Sequence, residues 1–209
     1  MTTLGDPLTK EELCRKYFYS DIDLYERECI ENDYPNIYHR NLNLPFTVNR
    51  HELCFGSPAE AKITNLHDYR DNNIEELNNK LGIKTLIVEV VYTPPHSNLP
   101  IHSDFLPIDN HVKLNISWGD SEKAATRWWL PKDRSRTFTS FPINNNREEY
   151  DLIYKAQTNS PCLINVGQLH DSYNPSDEGR WTLSHILAHK DNSLLQWDDA
   201  MEIYKDYIL

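Results

Sequence analysis

The chain has 209 residues, with 21 Lys plus Arg against 32 Asp plus Glu, a formal charge of −11 and nine histidines. That length sustains one domain with a substantial core, and the acidic balance disfavours a nucleic-acid backbone as partner. No stretch reaches the roughly 18 to 20 apolar residues of a membrane-spanning helix. The opening MTTLGDPLTKEEL has no apolar leader core, so Cys14, Cys29, Cys54 and Cys162, which form no CxxC pair, read as reduced thiols of a cytoplasmic protein.

In chain order, the first third reads as mostly helical. LTKEELCRKYF places Thr9 and Glu12 at capping-box spacing. DIDLYERECIEN brings Ile22, Tyr25 and Cys29 to helical intervals. NIEELNNKLG sets Ile74, Leu77 and Leu81 on one face ahead of Gly82, a natural stop. Between the second and third lies a Pro- and Asn-rich stretch with short strand-like pieces, FTV and CFG.

The character changes at residue 83. IKTLIVEVVY (83–92) is β-branched and almost continuously apolar, as a buried strand is, and Pro94 and Pro95 end it. HVKLNISW (111–118) alternates, with Leu114, Ile116 and Trp118 on one face. TRWWLP (126–131), TFTSFPI (137–143) and PCLINVG (161–167) are further short strands, and RWTLSHILAH (180–189) alternates again. Short strands separated by turn signals predict an all-β sandwich or barrel. Leu194, Trp197, Met201, Tyr204 and Ile208 then follow helical steps and predict an amphipathic helix packed on it. The expected organisation is a single compact domain: a helical and mixed region over 1–82, a β core over 83–190 and a C-terminal helix over 191–209.

The stretch NLPIHSDFLPIDNH (98–111) holds the first chemistry-bearing residues. His102 and Asp104 are two apart, so an extended backbone points both side chains the same way. His170 lies 66 residues beyond Asp104, after a strand-like segment. Two imidazoles and one carboxylate occupy one face of an octahedron and leave the opposite positions open, the arrangement of non-haem Fe(II) oxygenases; three such ligands also suit zinc. The reversed pattern Asp109-Asn110-His111 ranks lower, because Pro107 and Asn110 mark a turn.

Arg180 follows His170 by ten residues, with the turn-forming NPSDEG between them. The expectation is a hairpin, with His170 and Arg180 facing each other across it. A metal-bound 2-oxo acid needs a fixed partner for its far carboxylate, and arginine offers a planar fork that stays charged when desolvated. Thr182 shares the parity of Arg180 and adds a hydroxyl, with Ser184 a weaker candidate.

The order His102-Ser103-Asp104, then His170, then Arg180-Trp181-Thr182 resembles the Fe(II)/2-oxoglutarate-dependent dioxygenases, and LHDSYNPSDEGRWTL resembles their prolyl and aspartyl/asparaginyl hydroxylase-like members. That resemblance implies a double-stranded β-helix, or jelly roll, over roughly residues 83–190. It implies Fe(II) and 2-oxoglutarate as cofactors, O2 as cosubstrate, and release of succinate and CO2, with hydroxylation the usual outcome. It assigns iron to His102, Asp104 and His170, and 2-oxoglutarate to Arg180 and Thr182. The carboxylate of Asp104 speaks against a halogenase, whose pattern leaves that ligand position to chloride. Tyr92, ending the first core strand, stands as a partner for a 2-oxoglutarate carboxylate or as a rim aromatic. Asn115 points into the cofactor pocket or to solvent.

Trp118, Trp128, Trp129 and Trp181 read as packing, and Arg127 as a surface residue ahead of a grip on an anionic substrate group. His185 and His189 face away from Arg180 by parity. The substrate class that fits is an amino acid, a protein side chain or a small metabolite, with neither nucleic acid nor membrane as partner. Two rivals share the fold: a cupin-type metal enzyme that uses no 2-oxoglutarate, for which the chain shows no H-x-H element, and a non-catalytic jelly-roll binding module.

Overall fold

A computed structural model describes residues 35–47, 62–66, 69–104, 110–119, 123–133, 135–136, 146–158 and 160–209. The helices expected at LTKEELCRKYF and DIDLYERECIEN, the pieces CFG and TFTSFPI, Asp109, and Cys14, Cys29 and Cys54 lie outside the described residues. FTV falls at their edge, where residues 46–47 are irregular.

The described elements begin with a single helical turn, α1 (Pro35–Tyr38), and two short strands, β1 (His39–Asn41) and β2 (Lys62–Asn65). The helix expected around NIEELNNK is α2 (Asn72–Lys80). Asp71 caps it, its Oδ1 accepting from the amides of Asn73 and Ile74 at 3.0 and 3.1 Å. Gly82 follows at φ +75°, a conformation that side chains with a Cβ rarely adopt.

Eight strands then alternate between two layers: β3 (Ile83–Thr93), β4 (Ser97–Asn98), β5 (Val112–Gly119), β6 (Ala125–Pro131), β7 (Tyr150–Gln157), β8 (Cys162–Asn165), β9 (His170–Asn174) and β10 (Arg180–His189). The six-stranded sheet has the order β1-β8-β5-β10-β3-β2, and the four-stranded sheet the order β4-β9-β6-β7. Every pairing is antiparallel. Apart from the β6–β7 hairpin, each of these strands is followed by one in the other sheet. That is the jelly roll the family resemblance implies, enlarged by β1 and β2 from before residue 83.

Two differences from the sequence reading have physical causes. The segment between His170 and Arg180 is not a hairpin: β9 and β10 belong to different sheets. It is a corner, and Asn174 staples it, donating through Nδ2 to the carbonyls of Thr93, Pro94 and Glu178 at 3.1, 3.0 and 2.8 Å. Space there is tight, since a Cβ on Gly119 would strike the Gly179 carbonyl and one on Gly179 would strike the Tyr92 ring. The C-terminal helix starts only at Trp197, as α3 (Trp197–Ile203), with a 3-10 turn over Lys205–Tyr207. Residues 193–195 instead fold back on β10, Leu195 donating its amide to Leu187 at 3.0 Å. That backbone hydrogen bond is incompatible with a helix starting earlier.

The large core lies outside the six-stranded sheet. Val88, Val90, Leu114, Ile116, Leu183 and Leu187 pack there against Ile74 and Leu77 of α2 and Trp197, Ala200 and Tyr204 from α3 onward. At full burial each such side chain contributes about 1.5–3 kcal/mol. A smaller cluster, including Trp128, Leu130, Ile164 and Val166, packs between the two sheets. The remaining interior is polar. β5 and β10 are buried on both faces, yet one face of each carries Lys113, Asn115 and Ser117 or Arg180, Thr182 and Ser184. Polar groups buried in central strands need partners, and they find them in one cavity.

Candidate metal centre and anion pocket

The cavity has a volume of about 290 Å³, and its walls include His102, Asp104, His170, Arg180, Thr182 and Asn115. The jelly roll positions the two histidines together. Their backbones exchange hydrogen bonds, His102 N to His170 O at 2.9 Å and His170 N to His102 O at 2.8 Å, and their ring centroids lie 4.5 Å apart.

Each imidazole is oriented from behind. His102 Nδ1 lies 2.8 Å from the Pro100 carbonyl and His170 Nδ1 lies 2.9 Å from the Gln168 carbonyl. A carbonyl only accepts, so both Nδ1 atoms carry the proton and both Nε2 lone pairs face the cavity. Asp104 Oδ1 completes the set, 3.3 Å from His102 Nε2 and 3.8 Å from His170 Nε2. The three ligand atoms all lie within 4.8 Å of one another. Among the described residues this is the one such cluster.

The electrostatics favour ligation. Burial alone would raise the Asp104 pKa, but the Lys113 ammonium, ahead of His102 and His170, holds it well below the usual carboxylate range. Burial, followed by the neighbouring His102, pushes His170 down to about 4, so it is a neutral ligand at pH 7. Burial also opposes charge on His102, but the Asp104 carboxylate beside it outweighs burial and raises its pKa. These donors, two imidazoles and a carboxylate on three converging atoms, fit a divalent first-row metal.

Arg180 lies deeper between the sheets and is 2% exposed. It donates to Ser172 Oγ at 2.7 Å, to Ser117 Oγ at 3.0 Å and to Thr158 Oγ1, while its Nε has no partner. Among the described residues no carboxylate pairs with it. Burial pushes its pKa down to about 10, so it stays charged. A buried cation surrounded only by hydroxyls is costly on its own and is made for an anion.

The other predicted site residues divide. Thr182 is on the cavity wall, 2.9 Å from Ser117 Oγ. Asn115 points inward and accepts from Ser184 Oγ at 2.6 Å. Tyr92 does not reach the cavity: Glu89 and Val91 of β3 do. Tyr92 has the opposite parity, and its ring packs 4.6 Å from that of Trp181 in the outer core. Arg127 is no free surface residue either, since its Nε and Nη2 grip the two oxygens of buried Asp171 at 2.8 and 2.6 Å. Sequence reasoning missed Lys113, Glu89, Ser117, Thr158 and Ser172. The signal for Lys113 and Ser117 was present, because they share the parity of Asn115 opposite the apolar face of β5.

A scan against protein-family models and a search of curated proteins both return no match. Solved structures do resemble the fold. HygX from Streptomyces hygroscopicus, with nickel and 2-oxoglutarate bound, aligns over 88% of this chain and 88% of its own, at 10% identity and a TM-score of 0.41. The epimerase SnoN, in complex with Fe3+, alpha ketoglutarate and nogalamycin RO, aligns over 87% and 90%, at 11% identity and a TM-score of 0.48. An oxidoreductase of the 2OG-Fe(II) oxygenase family from Burkholderia pseudomallei aligns over 60% of this chain and 56% of its own, at 10% identity and a TM-score of 0.37. The chain thus spans little more than half of that last protein.

Proposed function

We infer that the protein is an Fe(II)- and 2-oxoglutarate-dependent oxygenase that hydroxylates an amino acid, a protein side chain or a small metabolite. The observation that carries this reading is a pairing within one cavity. A two-histidine, one-carboxylate cluster shares its walls with an arginine that is buried, charged and, among the described residues, without an anionic partner.

His102, Asp104 and His170 would hold the metal, which when bound activates O2 for oxidation of both the 2-oxo acid and the substrate. The protein's own share is positioning. The carbonyls of Pro100 and Gln168 fix both imidazoles with Nε2 forward. Arg180 receives the distal carboxylate of 2-oxoglutarate, its Nε still free to donate. Thr182, Asn115 and Ser184 line the way from Arg180 towards the metal ligands and hold the cosubstrate in one orientation. Leu99, Val91, Ile164 and Val166 supply apolar wall and limit the water that reaches it.

Anaerobic titration of the apoprotein with Fe(II) and 2-oxoglutarate tests this directly. The expected result is a weak visible charge-transfer band that requires both components, followed by succinate release when O2 and a substrate are admitted. A protein that binds Fe(II) without developing the band on adding 2-oxoglutarate would sink the cosubstrate assignment.

A further inference from the structure

Lys113 is the residue that the reading above leaves unexplained. A lysine is seldom buried, yet this one is 6% exposed, at the start of β5 in the cavity wall. Its Nζ lies 2.5 Å from Asp104 Oδ2 and 2.7 Å from Glu89 Oε2. Glu89 stands on β3, on the cavity wall. The contact to Asp104 runs through one particular oxygen. Oδ1 faces the two imidazoles, and Oδ2 faces Lys113.

We propose that Lys113 is a positioning residue of the metal centre: it holds Asp104 by Oδ2 so that Oδ1 alone is offered to the metal, and Glu89 anchors it there. The proposal rests on the metal-centre reading. A carboxylate free to turn can chelate through both oxygens and take a second coordination position. Held by one oxygen, it leaves that position open for the 2-oxo acid or O2.

The charges explain why Glu89 belongs to the device. Lys113 alone would cancel the charge of Asp104 and with it the site's attraction for a divalent cation. With Glu89 the trio carries one net negative charge, so the site keeps its attraction for the metal while Asp104 keeps its donor. A lysine serving only to neutralise a buried acid would need one carboxylate, and this one bridges two, Glu89 on β3 and Asp104 in the segment after His102.

The test is Co(II) binding to the full-length protein, read by calorimetry and by the visible absorption that reports cobalt coordination. Lys113→Met/Glu89→Gln removes one positive and one negative charge, so the trio stays at one net negative charge and only the positioning contact is lost. The expected result is Co(II) affinity weaker by about 10- to 100-fold, the usual effect of losing an outer-shell partner, together with an altered cobalt spectrum. Wild-type affinity with an unchanged spectrum in this variant, or tighter binding, overturns the proposal. Lys113→Arg keeps both donor and charge, and it should restore wild-type binding and spectrum. It decides the matter alone if the double variant does not fold, a changed cobalt spectrum being the adverse result. Wild-type protein that takes up no Co(II) would instead overturn the metal centre itself.

Discussion

Replacing Arg180 with methionine separates a ligand-binding arginine from a structural one. The side chain is 2% exposed, and among the described residues its partners are the hydroxyls of Ser172, Ser117 and Thr158. Taking a guanidinium out of water costs several kcal/mol, and three hydroxyl bonds offset that only in part. The variant sheds this cost. Ser117 keeps Thr182 at 2.9 Å and Ser172 keeps Thr93 at 3.1 Å, so only the Thr158 hydroxyl loses its partner, at about 1–3 kcal/mol. The two effects nearly cancel, and the ligand-free melting temperature should move by no more than about 5 °C.

Binding of 2-oxoglutarate should respond very differently. A hydrogen bond to a charged group contributes about 1.5–3 kcal/mol, and the arginine–carboxylate fork makes two. Losing about 3–6 kcal/mol weakens binding by roughly a hundred- to ten-thousand-fold, at about 1.4 kcal/mol per tenfold. The assay is calorimetry with metal present and O2 absent, beside the shift in melting temperature that 2-oxoglutarate induces. A variant that is strongly destabilised and still binds 2-oxoglutarate at wild-type affinity would show that Arg180 is structural and would refute the reasoning.

Further predictions concern acid and the fold. Because His102 titrates above its ordinary 6.5 and His170 near 4, metal binding displaces one proton as pH falls below the His102 value; affinity should drop about tenfold per pH unit there, as Co(II) titrations from pH 8 to 5 would show. His185 is buried on the outer face of β10, and burial pushes it down to about 4. The unfolded chain therefore binds its proton first, and stability that is complete above 6.5 is lost as pH falls towards 4, by up to about 3 kcal/mol. His185→Leu should flatten melting temperature against pH in that window, and an unchanged slope would contradict the burial argument. Asp71→Ala removes the cap of α2 and should cost about 1 kcal/mol in urea unfolding, with metal affinity unaltered.

The sequence disclosed strands wherever side chains had one clear preference. IKTLIVEVVY, HVKLNISW and RWTLSHILAH became β3, β5 and β10 because β-branched and alternating residues suit a pleated sheet packed on a core. β7, with the sequence YDLIYKAQ, escaped notice because it is an edge strand whose residues are mostly half or fully exposed, without a clean alternation. The connection between β9 and β10 was misjudged for another reason. NPSDEG announces a turn, and a turn signal does not say whether the chain re-enters the same sheet or crosses to the other. Only the long-range bonds of Asn174 to Thr93 and Pro94 decide that.

Tyr92 and Lys113 fail in opposite directions, and the same fact explains both. In a strand exposed on one face, alternation sorts core from solvent. β3 runs with apolar residues on both parities, so nothing in IKTLIVEVVY marks Tyr92 as facing the helices and Glu89 as facing the cavity. In β5 the alternation is clear, and its polar parity reads as solvent. Yet α2 and the segment from α3 onward cover the apolar face of the six-stranded sheet, so the polar parity can only face inwards. Lys113, Asn115 and Ser117 on β5 and Arg180, Thr182 and Ser184 on β10 are thus buried because they are polar, not despite it. A central strand supplies all its backbone hydrogen bonds to its neighbours. The polar side chains on two such strands therefore bond one another and the residues across the sandwich, and five of the six, all but Ser117, line the cavity shared by His170 and Arg180.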